Sequence, residues 1–291
     1  MMSLKFGLFV PPFESLAEPS HVVGPARAAE ASGWDGFFLW DHILFRPGMA
    51  VADPWLTMAA VAQSTARVRL GMLVTPLARR RPWVLARQAV TLDRLSGGRL
   101  VVGVGLGDDS IGEFSSFRGE ATDAVKRGAM LDESLELLRR FWSGDEVVWE
   151  GEHFAVQSGA FLPRPVQAPL PVWVAARWPH RRPLARAARN QGCFPLFDRG
   201  GWDIPAFPEL ADVSAAVSRL RRYGAAKGFD IVCRGASCTV GNAERVDRLA
   251  ELEAAGMTWW LESFGPDQPW LRMLEEAAGS GPPRAGVPSG G

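Results

Sequence analysis

The chain has 291 residues, 47% apolar and 22% charged, enough for one large domain with a substantial core. Lysine plus arginine balances aspartate plus glutamate at 32 each, which excludes bulk attraction to nucleic acid or to an anionic membrane as the organising principle. The three cysteines, Cys193, Cys233 and Cys238, have no C-x-x-C spacing, so they read as reduced thiols of a cytoplasmic protein and not as disulfides or a zinc site.

In chain order, the start carries one lysine and no long apolar run before Pro11-Pro12, so no secretory signal is expected. No run of about 18 apolar residues predicts a membrane span. Short β-rich runs then alternate with helical patterns. The strands are expected at 4–10, 36–40, 68–74, 99–105, 171–176, 193–197, 231–237 and 258–262. Between them, apolar residues recur at three- and four-residue spacing, as in 22–33, 82–96, 129–142 and 243–256. Gly33, Gly97, Gly192 and Gly256 read as helix-ending caps. Residues 145–170 break the beat and look like a hairpin inserted before the fifth strand. From Gly279 onward GSGPPRAGVPSGG is too poor in large apolar residues to order itself.

Strict alternation of eight strands with helices predicts an α/β protein, a single (β/α)8 TIM barrel over 1–278 with a disordered tail at 279–291. Chemistry in such barrels sits where strands end, here at Pro11-Pro12, Asp41-His42, Thr75-Pro76, Gly107-Asp108-Asp109, Arg177, Asp198-Arg199, Cys238-Thr239 and Glu262-Ser263. The run RLVVGVGLGDD at 99–109 poses a choice between a phosphate-binding turn and a strand end bearing carboxylates. Gly103, Gly105 and Gly107 are two apart, not spaced G-x-G-x-x-G, and Asp108-Asp109 repels a pyrophosphate. A strand with all its glycines on one face leaves room for a flat group against bare backbone, or for tight packing inside the barrel.

The pattern closely resembles the bacterial luciferase-like family of flavin- and deazaflavin-dependent oxidoreductases. The resemblance rests on KFGLFVPPF, GWDGFFLWDH, RVRLGMLVTPL, the run RRRPWVLARQAVTLDRLSGGRLVVGVGLG and PRPVQAPLPVWVAA, with TLDRLSGGR-x3-GVG-x-G the most specific part. It implies a tricyclic coenzyme at the C-terminal mouth of the barrel, its phosphate toward the loop after the fifth strand. Asp41 and His42 then lie near the ring, His42 as acid/base or stabiliser of the reduced coenzyme. Asp108 takes the place of a glutamate proton donor, one carbon shorter. Leu73, Val74 and Thr75 fall where relatives carry a bulge, sometimes with a non-proline cis peptide, behind the ring.

Gly105 and Gly107 complete the expected coenzyme surface. Ala175-Ala176 replace the glycines common after PVWV, with Arg177, His180, Arg181 and Arg182 supplying positive charge instead. Arg79-Arg80-Arg81 is a second basic cluster, able to reach an acidic coenzyme tail or nothing at all. Trp40, Trp178, Trp202, Trp259 and Trp260 are candidate walls of a substrate pocket, and Glu262 a candidate substrate anchor or helix cap. No metal site is expected.

The expected activity is hydride exchange between coenzyme F420 and a small organic substrate, with FMN-dependent monooxygenation as the alternative. A barrel hydrolase using Asp108 and Glu262, or a relative that binds without turnover, stays open. The expected partners are a small-molecule substrate and further copies of the chain, as a homodimer or higher homo-oligomer through helices beside the second and third strands. No nucleic acid and no membrane is expected.

Overall fold

The eight apolar runs are the eight strands of a closed parallel barrel. The computed structural model describes residues 4–197, 204–264 and 269–284, so Asp198, Arg199 and Trp202 lie outside the described residues. The elements are β1 (Lys5–Val10), α1 (Pro19–Ala31), β2 (Gly36–Leu39), α2 (Pro54–Ser64), β3 (Arg69–Pro76), α3 (Pro82–Leu95), β4 (Leu100–Gly105) and α4 (Ala124–Ser143). The hairpin β5 (Val147–Glu150) and β6 (Ala155–Ser158) follows. Then come β7 (Val172–Arg177), α5 (Arg181–Ala187), β8 (Gly192–Leu196), α6 (Leu210–Arg222), β9 (Asp230–Gly235), α7 (Asn242–Ala254), β10 (Trp259–Ser263) and α8 (Trp270–Ser280). Closure comes from β1, which pairs with β2 on one side and β10 on the other.

Local signals set the helix ends. Asp53 accepts the Leu56 amide at 2.9 Å with Pro54 at the first helical position of α2. Asp123 accepts the Lys126 amide at 2.7 Å, and Gly144 at φ 82° ends α4. Gly192 departs from the cap expected there: it opens β8, where the Trp173 ring occupies the space of a side chain. The tail expectation is corrected at its start. α8 runs through Ser280, and Arg284 donates to Asp35 at 2.7 Å, tying the chain to the turn before β2. Residues 285–291 lie outside the described set.

Three aromatic rings fill the barrel. Phe38, Trp173 and Trp259 are fully buried, with centroids 5.4 Å (Phe38–Trp173), 5.7 Å (Phe38–Trp259) and 5.4 Å (Trp173–Trp259) apart. Edge-to-face and tilted contacts of this kind add to the hydrophobic gain. At the N-terminal end both indoles donate to Asp230 at 3.2 Å, as does the Thr258 hydroxyl at 3.2 Å. Burial pushes the Asp230 carboxyl above its ordinary value of 3.8 despite these donors and Lys5. A carboxyl raised in the folded state binds its proton more tightly there than in the unfolded chain. Its contribution is therefore fully present below 3.8 and is lost as pH rises through the folded value. Wild type should gain stability relative to Asp230→Asn as the medium is acidified from about pH 7 toward about pH 4. Urea midpoints of both proteins across that range check this; a difference independent of pH refutes it.

The family-like run TLDRLSGGR lies at this same end. Asp93 accepts the amides of Val166 at 2.7 Å and Gln167 at 3.1 Å, and the Gln167 side chain at 2.7 Å. Arg99 donates to the carbonyls of Ala62, Thr65, Val68 and Ser96. These bonds close the bottom of the barrel and hold the return from the hairpin into β7. The hairpin is tied to α4 by Glu133, which accepts Trp149 Nε1 at 2.8 Å and the amides of His153 and Phe154 at 2.9 Å each.

Candidate active site

At the C-terminal ends of the strands, β3 carries a bulge between Met72 and Thr75, with a cis peptide between Leu73 and Val74. A side chain at Gly103 would run into the Met72 carbonyl and the Leu73 side chain, and one at Gly105 into Val74. The glycine face of β4 is therefore not a bare shelf. It accommodates the bulge, and Leu73 and Val74 present the surface instead. They line a cavity of about 360 Å³ whose other walls include Phe9, Trp40, Ala175 and Phe194. A cavity of this size and apolar lining is typical of a small-molecule site.

One flank of the cavity is cationic. Arg177 ends β7, His180 precedes α5, and Arg186 comes from α5. Arg186 is steadied by Asp132 of α4, whose Oδ2 accepts Nη2 at 2.8 Å. Arg234 of β9 enters from another side, its guanidinium 5.9 Å from the Trp40 ring. Asp108 faces the cavity from the β4–α4 loop, 3.9 Å from Arg177, with both side chains nearly half exposed. Asp109 is a loop organiser: bonds from the amides of Ser115 and Phe114 hold its carboxyl below the ordinary range.

Next to the cavity lies a buried charge network. Asp41 is fully enclosed and accepts Thr75 Oγ at 2.7 Å, Trp55 Nε1 at 3.2 Å, Arg79 at 3.0 Å and Arg80 at 3.0 Å. Thus Thr75 and Asp41 hold the base of the loops and do not line the cavity. Two arginines of the basic run turn inward to meet Asp41 and do not reach out to a coenzyme. His42 sits in an aromatic cage of Phe13, Trp40 and Phe45, its Nδ1 2.9 Å from Glu113 Oε2. Glu113 also accepts the Ile43 amide at 2.7 Å and pairs with Arg79 at 2.9 Å. Trp40 belongs to both places, lining the cavity and standing 6.0 Å from His42 between ring centroids.

Other expected residues are placed elsewhere. Gly107 and Ala175 line the cavity, whereas Ala176 is buried in the core. Arg181 is exposed at the start of α5, and Arg186, one turn on, reaches the cavity in its place. Trp178 turns outward, donating to Asp212 of α6 at 2.9 Å beneath Arg219. Trp259 and Trp260 are buried in the barrel. Glu262 faces a different groove, its oxygens taken by Ser237 Oγ, the Cys238 amide and Trp260 Nε1. Asp108 and Glu262 therefore do not form the facing pair a two-carboxylate hydrolase requires. Cys238 beside it is no ready nucleophile, since burial and the neighbouring Glu262 push its thiol up to about 11.

A closed parallel barrel with an apolar, one-side-cationic cavity at its C-terminal mouth is a (β/α)8 protein built to hold a small molecule. Residues 4–260 match the model of the luciferase-like monooxygenase family, and the chain belongs to that family. It is 36% identical over 168 residues to the F420-dependent glucose-6-phosphate dehydrogenase of Gordonia bronchialis, covering 56% of this chain and 48% of that one. The chain thus spans about half the length of the curated relatives it matches. In fold it is similar to an F420-dependent secondary alcohol dehydrogenase in complex with an F420-acetone adduct, with a TM-score of 0.76 at 17% identity over 94% of this chain and 97% of that one. It is likewise similar to the FMN-bound oxygenating constituent of 3,6-diketocamphane monooxygenase of Pseudomonas putida, with a TM-score of 0.71 at 14% identity over 94% and 96%.

Proposed function

We propose that the protein is an oxidoreductase using coenzyme F420 to exchange a hydride with a small organic substrate. The observation that carries this reading is the cavity: an apolar floor of Leu73 and Val74 faced by Phe9 and Phe194, bounded on one flank by Arg177, His180 and Arg186. That lining suits a flat apolar ring joined to an anionic chain, which is the chemistry of a flavin or deazaflavin. Sequence relatives named for F420 favour the deazaflavin. When bound, the deazaflavin supplies hydride transfer.

The chain's own contribution is binding and orientation. Leu73, Val74, Ala175 and Phe194 exclude water and hold the ring by contact. Arg177 and Arg186 attract the anionic end, as guanidinium pairs well with phosphate oxygens. His42 is the acid/base group, holding or passing one proton beside Trp40. The substrate is a small molecule that enters at the barrel mouth.

No helix among the described residues is long and apolar enough to cross a membrane. Free thiols at Cys193, Cys233 and Cys238 support a cytoplasmic enzyme. Assembly into a homodimer or higher homo-oligomer suits α2 and α3, which expose Leu56, Val84 and Leu95.

Titration of the protein with F420 and, separately, FMN tests the reading through tryptophan fluorescence, since Trp40 lines the cavity. Saturable quenching by F420, at least about tenfold tighter than by FMN, is expected. Tighter FMN binding converts the assignment to a monooxygenase. Binding without reduction or oxidation of the coenzyme by any substrate points to a ligand-binding relative, and no binding of either overturns the proposal.

A further inference from the structure

We infer that Glu113 is a positioning residue that fixes the tautomer of His42. This deepens the proposed function, because it concerns the same acid/base group. Glu113 lies in the β4–α4 loop, 71 residues from His42, and its side chain is 1% exposed. The loop is folded toward His42 by Asp109, whose Oδ1 accepts the amides of Phe114 at 2.7 Å and Ser115 at 2.9 Å, the two residues that follow Glu113.

Each oxygen of Glu113 has a separate duty. Oε1 accepts the Ile43 amide at 2.7 Å and faces Arg79 Nη1 at 2.9 Å. Oε2 faces His42 Nδ1 at 2.9 Å. A carboxylate only accepts hydrogen bonds, so the shared proton belongs to Nδ1 and the neutral ring keeps the Nε2 lone pair. The Ile43 amide is a donor that cannot be reversed, and the Arg79 cation pairs with the same oxygen, so together they lock the carboxylate plane. Arg79 is itself fixed on Asp41, and Asp41 also takes Arg80. Three strand-end loops, after β2, β3 and β4, are thereby joined through one carboxylate.

The arrangement makes a sharp statement about Glu113→Gln. The amide oxygen must remain toward Ile43 N–H and Arg79, because the first is a donor and the second a cation. The amide nitrogen then faces His42 Nδ1, which has to become an acceptor, so the ring's proton moves to Nε2. The wild-type ring, read by nitrogen-15 NMR at a pH where it is neutral, is expected as the Nδ1–H tautomer. The chain has 4 histidines, and the His42 signal is assigned by its absence from His42→Asn. Glu113→Gln is expected to give Nε2–H, and Glu113→Asp to restore Nδ1–H. With the coenzyme loaded, Glu113→Gln should lower kcat by about 10²–10⁴ while leaving coenzyme affinity in place, since the wrong nitrogen then carries the proton.

An Nε2–H ring in wild type, or an unchanged ring in Glu113→Gln, overturns the inference. The wild-type spectrum decides alone if the glutamine variant does not fold. Inversion of the tautomer with unchanged turnover upholds the positioning role and removes His42 from the chemistry, so the two readings fail separately.

Discussion

Asp41→Asn is expected to cost about 3–5 kcal/mol of stability, the scale for breaking a buried ion pair. The reason is the fate of its partners. Arg79 is 5% and Arg80 17% exposed, and the carboxylate between them is fully buried. An amide in its place keeps the shape but turns donors toward guanidinium groups, leaving Arg80 without its carboxylate and Arg79 with Glu113 alone in a largely buried site. An exposed pair provides the contrast. Glu276 meets Arg272 at 2.7 Å, yet both are largely solvated, so Glu276→Gln should change stability by no more than about 0.5 kcal/mol. Urea denaturation of the two variants checks both values, and a loss below about 1 kcal/mol for Asp41→Asn would show that the network relaxes around the change.

Gly103→Ala is the second large effect. The added methyl falls on the Met72 carbonyl oxygen and the Leu73 side chain, and a backbone oxygen cannot rotate away as a side chain can. Overpacking of this kind costs about 1–3 kcal/mol. The displaced atoms belong to the bulge whose next residues line the cavity, so F420 affinity should fall with stability, by about tenfold for each 1.4 kcal/mol transmitted to the site. Gly24→Ala, where nothing lies within 4 Å of the added methyl, is the matched control and should leave affinity unchanged. Equal affinity in Gly103→Ala and wild type would separate the bulge from binding.

The barrel was legible in the sequence because strands and helices bury one face at a fixed period, and that period survives in eight successive units. The bulge position at Leu73 and Val74 was legible through resemblance alone. The site was harder. Glu113 carries no periodic signal, and its partner His42 is 71 residues away, so only the folded chain brings the two together. Arg79 and Arg80 read as a cluster reaching an acidic coenzyme tail or nothing at all, since nothing local reveals that Asp41 draws them inside. Trp178 was misplaced for a different reason. Its position just after a strand fixes where the backbone goes and leaves open whether the ring points to the cavity or to α6. The three-glycine run carried the opposite ambiguity: missing side chains announce an intruder, and at Gly103 and Gly105 the intruder is the bulge of β3.

Asp93 and Arg99 anchor the N-terminal floor of the barrel, far in the chain's architecture from the residues that face the cavity. The stretch by which this lineage is easiest to recognise is thus a foundation, indifferent to what happens at the opposite rim. The reaction of such a barrel can be set by the upper loops without disturbing that foundation. Sorting such proteins by it groups them by construction, whereas their chemistry is set at the opposite rim.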